Sequence, residues 1–248
     1  MAFGMKITPS LDKPTVYMNL YCQMIGSLMY MTASRPYIMF FVCYYARFQA
    51  NPCEPHITAI KNIFRYLKRS FSLGIWYPSS LGFFVQTFLD ADLGRYGLDK
   101  KSTMGGCQFL GGKLVSWQSK KQTFISLSTA KVEYIVTAYY TSQVIWIQSQ
   151  LRDYGINMKQ IPLYCDSGSA ILICHNPVQY SMTKHITLIY NFIKDHVEDG
   201  NVEIHFVRFA DQLTDIFTKA LLEQTFNCIL QGLGMIEAES ISKPPLQS

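Results

Sequence analysis

The sequence lacks any apolar run that is long enough to cross a bilayer. The longest, residues 38–45, is far shorter than the roughly 20 residues that a membrane-spanning helix requires. The N-terminus, MAFGMKITPS, also lacks the charged and then apolar order of a secretory signal. We therefore expect a soluble protein of the cytoplasm or nucleus that has no membrane partner.

Paired cysteines and phosphate-binding loops are missing as well. The seven cysteines are scattered along the chain and form no C-x-x-C pair, which argues against a zinc site or a disulfide framework. Glycine-rich pieces such as GLGM lack the lysine of a nucleotide-binding loop. These absences favour reduced thiols in an intracellular protein and give no indication of a small-molecule cofactor.

Hydrophobic and aromatic residues are plentiful, at 49% and 14% of the chain, which argues against intrinsic disorder for its body. The formal net charge of +5 is unevenly distributed. Residues 1–80 hold eight Lys or Arg against two Asp or Glu, whereas residues 81–248 hold 14 against 15. A basic first part and a carboxylate-bearing second part suit a polyanion-binding surface joined to a metal site. Chance unevenness on a solvated surface is the alternative interpretation.

The hydrophobic period changes along the chain and divides it into four parts. Residues 1–20 show little periodicity and are interpreted as a disordered or truncated lead-in. Apolar residues then recur at helical spacing over residues 21–78, up to a boundary that contains Pro, Ser and Gly. Over residues 83–236 the pattern predicts the order β-β-β-α-β-α-α-β-α, an α/β (α+β) domain with a mixed sheet and helices on its faces. Residues 237–248 are predicted to be a disordered tail.

A row of basic side chains follows one predicted helix of the first part. In HITAIKNIFRYLKRS, apolar residues lie on one arc, and Lys61, Arg65 and Lys68 lie on the neighbouring arc. A cationic row of this kind is either a solvated face or a contact for the phosphates of a nucleic acid. These three residues are therefore candidate nucleic-acid contacts.

Four acidic residues stand at the ends of four predicted elements in the second part. Asp90 ends the first strand, Asp166 follows the buried strand IPLYC, Glu133 lies in the first turns of a long helix, and Asp215 begins the last helix. Asp92 shares a strand face with Asp90. Strand ends and helix starts are where side chains converge at one edge of a sheet.

Each of these acids has an ordinary explanation when taken alone, because aspartate commonly forms turns at strand ends and caps helices. Taken together, four acids on four elements would repel one another unless cations lay between them. Carboxylates and water are the usual ligands of Mg²⁺ and Mn²⁺, and a pair of such ions about 4 Å apart serves in-line displacement at phosphorus. The pattern therefore predicts a site for divalent cations.

Five blocks of the sequence resemble the Pol polyproteins of copia-type LTR retrotransposons. Two blocks resemble the end of their reverse transcriptase region, namely TASRPYIMFFVCYYARFQANP and FRYLKRSFSLGIWY. Three others resemble their ribonuclease H domain, namely FLDADLGRYGLDKKSTMGGCQFLGGKLVSWQSKKQTFISLSTAKVEYI, LYCDSGSAILICHNPVQYSMTKHI and QLTDIFTKAL. The resemblance implies a ribonuclease H-like fold over residues 83–236, preceded by a small helical segment over residues 21–78 that is the tail of a reverse transcriptase region.

The resemblance also implies what the four acids do. In the family a catalytic quartet binds two Mg²⁺ or Mn²⁺ ions, and its positions are matched here by Asp90, Glu133, Asp166 and Asp215. Asp92 is the alternative to Asp90 in the Asp-Ala-Asp block. The implied activity is two-metal hydrolysis of the RNA strand of an RNA/DNA hybrid, so the hybrid is the implied partner.

Several positions depart from the family pattern. Lys131 stands where the family has the Glu of a capping box that begins at Ser128, and HITLIYN replaces a more polar block. No Asp-Asp pair occurs, so the polymerase signature is missing and we expect no DNA synthesis. Two alternatives to an active nuclease therefore stay open. One is a catalytically inactive, degenerate retrotransposon remnant that binds nucleic acid at most, and the other is an interaction module built from the helices of residues 21–70.

Overall fold

The computed structural model describes residues 16–79, 82–92, 101–122, 129–175 and 184–238. The helices and strands follow one another in the order α1 Met18–Thr32, α2 Met39–Ala46, α3 Glu54–Arg69, β1 Leu73–Ile75, β2 Val85–Asp92, β3 Thr103–Leu110, β4 Lys113–Lys121, α4 Thr129–Asp153, β5 Ile161–Cys165, α5 Gly168–His175, α6 Lys184–Glu198, β6 Val202–Phe206, α7 Asp215–Thr218, α8 Glu223–Gly232 and β7 Met235–Glu237. Short 3₁₀ helices cover Pro36–Ile38 and Phe209–Asp211. These elements form two compact units: the described residues up to Tyr77 join those from Lys219 onward, and Pro78–Thr218 form the second unit.

The first unit is a cluster of helices with a two-stranded sheet. Helices α1, α2 and α3 pack on one another around almost fully buried side chains, namely Tyr21, Leu28, Val42, Tyr45 and Ile60. The hydroxyl of Tyr21 donates to the carbonyl oxygen of Tyr45 at 2.8 Å, which ties α1 to the end of α2. Strands β1 and β7 pair antiparallel, with Leu73 opposite Glu237. The C-terminal strand is therefore part of the first unit.

The second unit is built on a five-stranded mixed sheet in the order β4-β3-β2-β5-β6. Strands β2, β3 and β4 form an antiparallel meander, whereas β5 pairs parallel with β2, and β6 parallel with β5. The turn between β3 and β4 is made by Gly111 and Gly112, whose φ angles of 58° and 73° suit a tight hairpin. The predicted α/β class, with a hairpin and a mixed sheet, is confirmed.

Helix α4 forms the main core of the second unit with the central strands. Val136, Tyr140 and Val144 recur at helical spacing on α4 and join Leu89 of β2 and Leu163 of β5 in one buried cluster. Helices α5 and α6 pack against α4 in turn. The core therefore holds α4, β2 and β5 together, and three of the four predicted acids lie near the ends of these elements, namely Asp90, Glu133 and Asp166.

The C-terminal part of the chain differs from the expected division. Residues from Lys219 onward group with the first unit, and not with the rest of residues 83–236, because β7 pairs with β1 and α8 packs against β7. The single last helix of the prediction is two helices, α7 and α8, since the backbone before α8 is extended at Leu222, with φ −65° and ψ 150°. Glu237, expected to begin the tail, is the last residue of β7.

The N-terminal prediction is met only in part by the described residues. Helix α1 begins at Met18, inside the segment that was expected to be a lead-in, although the first side chain that the helix buries is Tyr21. Residues 1–15 of the lead-in, residues 239–248 of the tail, and the helix cap expected at Ser128 lie outside the described residues.

The sequence predicts neither a membrane-spanning helix nor a disulfide framework. Within the described ranges, no helix combines the length and the apolar character that crossing a membrane requires. All seven cysteines are free thiols, and Cys53, Cys107, Cys165 and Cys174 are buried.

Gly106 on β3 lies against the ring of Tyr140, and a Cβ at this position would overlap that ring. Because Tyr140 of α4 is almost fully buried and cannot move aside freely, we expect Gly106→Ala to lower the free energy of unfolding by about 1–3 kcal/mol. Urea denaturation followed by circular dichroism measures the change. Gly168→Ala is the matched control, since a Cβ there meets no atom of the described residues within 4 Å. An equal loss in both variants would contradict this explanation.

Candidate metal centre

Two aspartates lie at matching positions on the two central parallel strands. The register of β2 and β5 pairs Phe88 with Tyr164. Asp90 lies on β2, two residues after Phe88. Asp166 comes directly after β5, two residues after Tyr164. Neighbouring strands are about 4.8 Å apart. Parallel pairing therefore places these two predicted site residues next to each other at one end of the sheet.

Glu133 reaches the site from α4. The helix begins at Thr129, so Glu133 stands in its second turn, and its side chain is buried. A carboxylate oxygen of Glu133, one of Asp166 and the sulfur of Cys165 all lie within 4.8 Å of one another. The structure thus brings two of the four predicted acids together and adds a thiol that the sequence did not single out.

Asp215 is carried by α7, which is a single helical turn, and its side chain is only 1% exposed. Thr218 follows on the same turn, and residues three apart lie on one face of a helix. The hydroxyl of Thr218 donates to Oδ2 of Asp90 at 2.6 Å. The turn that carries Asp215 is therefore bonded directly to Asp90.

A buried glutamine holds the segment before α7 against β2. Nε2 of Gln212 donates to the carbonyl oxygen of Leu89 at 2.9 Å, and the hydroxyl of Thr214 donates to Oε1 of Gln212 at 2.7 Å. Both side chains are almost fully buried. Breaking these bonds would leave buried polar groups unsatisfied, which is costly. The two bonds therefore anchor α7 beside the residue that precedes Asp90.

The missing side chain of Gly105 allows α7 to lie close to β3. Gly105 is directly opposite Asp90 in the β2–β3 register. A Cβ on Gly105 would be 2.7 Å from Cγ2 of Thr218 and 2.8 Å from Cβ of Phe217. Glycine within a strand commonly marks such a close approach. Any larger residue would push α7 away from Asp90.

The negative charges of the site act on buried groups nearby. Burial raises the pKa of the Cys165 thiol, and the charge of Glu133 raises it further, with smaller contributions from Asp166 and Asp90. Burial likewise raises the pKa of the Tyr140 phenol, to which Asp90 also contributes. Asp90 thus acts on the same thiol as Glu133 and Asp166, although its carboxylate is not among the three donor groups that lie within 4.8 Å of one another.

The donor atoms of this cluster suit a hard divalent cation. Mg²⁺ and Mn²⁺ prefer carboxylate oxygens, which Glu133 and Asp166 supply within 4.8 Å of each other. Cys165 adds a soft sulfur donor, which these ions do not favour. The two carboxylates therefore fit the Mg²⁺ or Mn²⁺ that the family resemblance implies, and Cys165 is not expected to be a ligand.

The predicted basic row lies in the first unit, on α3. Lys61, Arg65 and Lys68 are exposed, and Ile57 and Ile60 of the same helix are buried, as its amphipathic pattern predicts. Nη1 of Arg65 donates to Oδ1 of Asn62 at 2.6 Å. The three basic residues are not members of the carboxylate cluster of the second unit.

Sequence reasoning missed Thr218 and Gly105. Only spacing pointed to them: Thr218 follows Asp215 by three residues, and Gly105 begins a Gly-Gly pair inside a predicted strand. The sequence also left open whether Asp90 or Asp92 is the strand acid. Asp90 is almost fully buried and bonded to Thr218, whereas Asp92 is half-buried at the last position of β2.

The chain is similar to known polyproteins over most of its length, although no model of a protein family matches it. It is 34% identical over 226 residues to the retrovirus-related Pol polyprotein from transposon RE1 of Arabidopsis thaliana, a match that covers 91% of this chain and 15% of that protein. It is 32% identical over 216 residues to the retrovirus-related Pol polyprotein from transposon TNT 1-94 of Nicotiana tabacum, covering 87% of this chain and 16% of that protein. The chain thus spans only 15–16% of the length of these relatives.

A third relative is shorter. The chain is 30% identical over 133 residues to the secreted RxLR effector protein 161 of Plasmopara viticola, and the match covers 53% of this chain and 94% of that protein.

Two solved structures have a partly similar backbone. The LC11 ribonuclease H1 in complex with an RNA/DNA hybrid has a TM-score of 0.40 and 12% identity, covering 54% of this chain and 93% of that chain. The foamy viral protease-reverse transcriptase in complex with double-stranded DNA has a TM-score of 0.45 and 9% identity, covering 81% of this chain and 40% of that chain.

The family assignment rests on the transposon relatives, whose similarity extends over 87–91% of the chain. The chain belongs to the retrovirus-related Pol polyproteins of copia-type transposons, and it corresponds to one segment of them.

Proposed function

We propose that the second unit is a ribonuclease H, which hydrolyses the RNA strand of RNA/DNA hybrids with divalent cations as cofactors. The observation that carries the proposal is the convergence of acidic side chains at one end of the mixed sheet. Oxygens of Glu133 and Asp166 lie within 4.8 Å of each other, and the strand register sets Asp90 beside Asp166. Membership of the Pol family supports this proposal, because the same residues stand in the blocks that resemble its ribonuclease H domain.

In this proposal Asp90, Glu133, Asp166 and Asp215 hold two Mg²⁺ or Mn²⁺ ions. When bound, such a pair supplies an activated water and neutralises charge at the scissile phosphate. The chain itself holds the four carboxylates at fixed positions on β2, α4, α7 and the end of β5, and all but Asp166 are almost fully buried. Burial strengthens their attraction for a cation, because the local dielectric is lower than that of water.

The proposed substrate follows from the family, since a Pol polyprotein that copies RNA into DNA generates an RNA/DNA hybrid. Selecting the RNA strand of that hybrid requires contacts to 2′-hydroxyls, which the DNA strand lacks. An inactive remnant with the same fold would bind the hybrid without cutting it. Retention of all four acids favours the active enzyme over this remnant.

We expect the full chain to cleave only the RNA strand of a labelled hybrid when Mg²⁺ or Mn²⁺ is present. Asp166→Asn should lower the rate by about 10²–10³-fold, because an amide has no charge with which to hold a cation. Gel electrophoresis of hybrids labelled on either strand measures both results. Asp153→Asn is the matched control: it removes an exposed aspartate at the other end of α4, about 30 Å along the helix from Glu133.

The possible results separate the alternatives. An equal loss in Asp153→Asn would show that the effect of Asp166→Asn is not specific to the site. No cleavage by wild-type protein whose circular dichroism shows a folded chain would overturn the nuclease proposal, and it would identify an inactive remnant.

We also propose that the basic row of α3 contacts the phosphates of the hybrid. Lys61, Arg65 and Lys68 recur at spacings of four and three residues, so they share one exposed side of the helix. Phosphate contacts of this kind position a protein on a nucleic acid without reading its sequence. The basic excess of residues 1–80 agrees with this role.

Replacing Lys61, Arg65 and Lys68 together by Gln should weaken hybrid binding, because the variant neutralises fewer phosphates and so releases fewer bound counterions. The slope of log K against log salt should become shallower by about 0.7–0.9 for each phosphate that is no longer neutralised. Fluorescence anisotropy in EDTA over a range of salt concentrations measures this slope without cleavage. The charge-matched control replaces Arg152, Lys159 and Lys194 by Gln. An equal change in slope for both triple variants would show that net charge, and not the row on α3, determines binding.

A further inference from the structure

We propose that Thr218 is a positioning residue for the metal ligand Asp90. Its hydroxyl would hold one oxygen of Asp90 and so set the orientation in which that carboxylate meets a cation. This inference rests on the proposed function, since it assumes that Asp90 is a metal ligand. It extends that proposal to a residue that bears no charge and has no place in the predicted quartet.

The hydrogen bond between these two residues is short and buried. Oγ1 of Thr218 lies 2.6 Å from Oδ2 of Asp90, and the two side chains are 0% and 3% exposed. The same hydroxyl lies 3.3 Å from the carbonyl oxygen of Asp215. A hydroxyl has one proton to donate, and the nearer, charged acceptor is the stronger one. The proton is therefore directed at Asp90.

Holding one oxygen of a carboxylate restricts the rotation of the whole group. A ligand that is already ordered loses less conformational freedom when a cation binds, so binding is tighter. Partners that orient metal ligands in this way typically contribute 10–100-fold to metal affinity or activity. In this proposal, Thr218 is the partner that orients the carboxylate of Asp90.

The position of Thr218 also links two of the proposed ligands. Asp215 begins the turn that Thr218 ends, so the bond joins the acid of β2 to the turn that carries the acid of α7. Gly105 permits this approach, because a Cβ there would be 2.7 Å from the Thr218 methyl carbon. One hydrogen bond therefore couples the orientation of Asp90 to the placement of Asp215.

A purely structural hydroxyl would stabilise the fold without affecting the cation, and metal binding distinguishes the two roles. Isothermal titration of the full chain with Mn²⁺, without nucleic acid, measures the Kd independently of cleavage. Thr218→Val removes the hydroxyl at nearly constant volume, and Thr218→Ser retains it. Thr141→Val is the matched control, because Thr141 is a buried threonine whose hydroxyl donates to the carbonyl oxygen of Thr137 at 2.8 Å within α4.

We expect Thr218→Val to raise the Kd for Mn²⁺ by about tenfold or more, and Thr218→Ser and Thr141→Val to stay within about twofold of wild type. Thermal melting records the stability of each variant, and Thr218→Ala replaces Thr218→Val if the latter does not fold. A lowered melting temperature with an unchanged Kd in the hydroxyl-free variant would overturn the inference.

A different result would mark failure of the proposed function itself. If wild-type protein binds no Mn²⁺, or if Asp90→Asn binds it as tightly as wild type does, Asp90 is not a metal ligand. Both proposals then fall together. If Asp90→Asn loses binding and Thr218→Val does not, only the role of Thr218 is overturned.

Discussion

Parallel pairing of β2 with β5 is the constraint on which the whole candidate site depends. It brings Asp90 and Asp166 to the same end of the sheet, although 75 residues separate them in the chain. A register shift of one residue would turn one of the two acids to the opposite face of the sheet. The buried cluster of Leu89, Leu163 and α4 side chains makes such a shift costly, because the strand that moved would turn its apolar residues away from the core. The hydrophobic core thus determines where the charges lie.

Burial of acidic side chains opposes this arrangement. Carboxylates that converge away from water repel one another, and each loses hydration. The second unit offsets part of this cost with a charge-assisted bond from Thr218 to Asp90 and with the Gln212 contacts that anchor α7. These contacts require close approach of a helix to the sheet, which Gly105 permits. A cation among the carboxylates would offset the remainder, which is why such an arrangement is typical of metal-dependent enzymes.

Local patterns in the sequence were sufficient to predict most of the second unit. The Gly111-Gly112 turn follows from the positive φ angles that such a hairpin needs, and the order of strands and helices follows from hydrophobic period. Asp90, Glu133, Asp166 and Asp215 were predicted because acids at element ends are unusual together, and family resemblance named the same four. Thr218 could not be predicted, since its role depends on the packing of α7 against β2, which no local pattern encodes. Strand β7 was missed for a similar reason: three residues are too few to show a period of two.

The return of the chain to the first unit has a topological consequence. Because β7 completes a sheet that β1 begins, the first unit is discontinuous in sequence, and the second is an insertion within it. A cut at the predicted boundary near residue 80 would separate two strands that pair with each other. Each fragment would then present an exposed strand edge, which is a template for aggregation. A fragment that keeps the pairing of β1 with β7 therefore has to contain both units, and not the second unit alone.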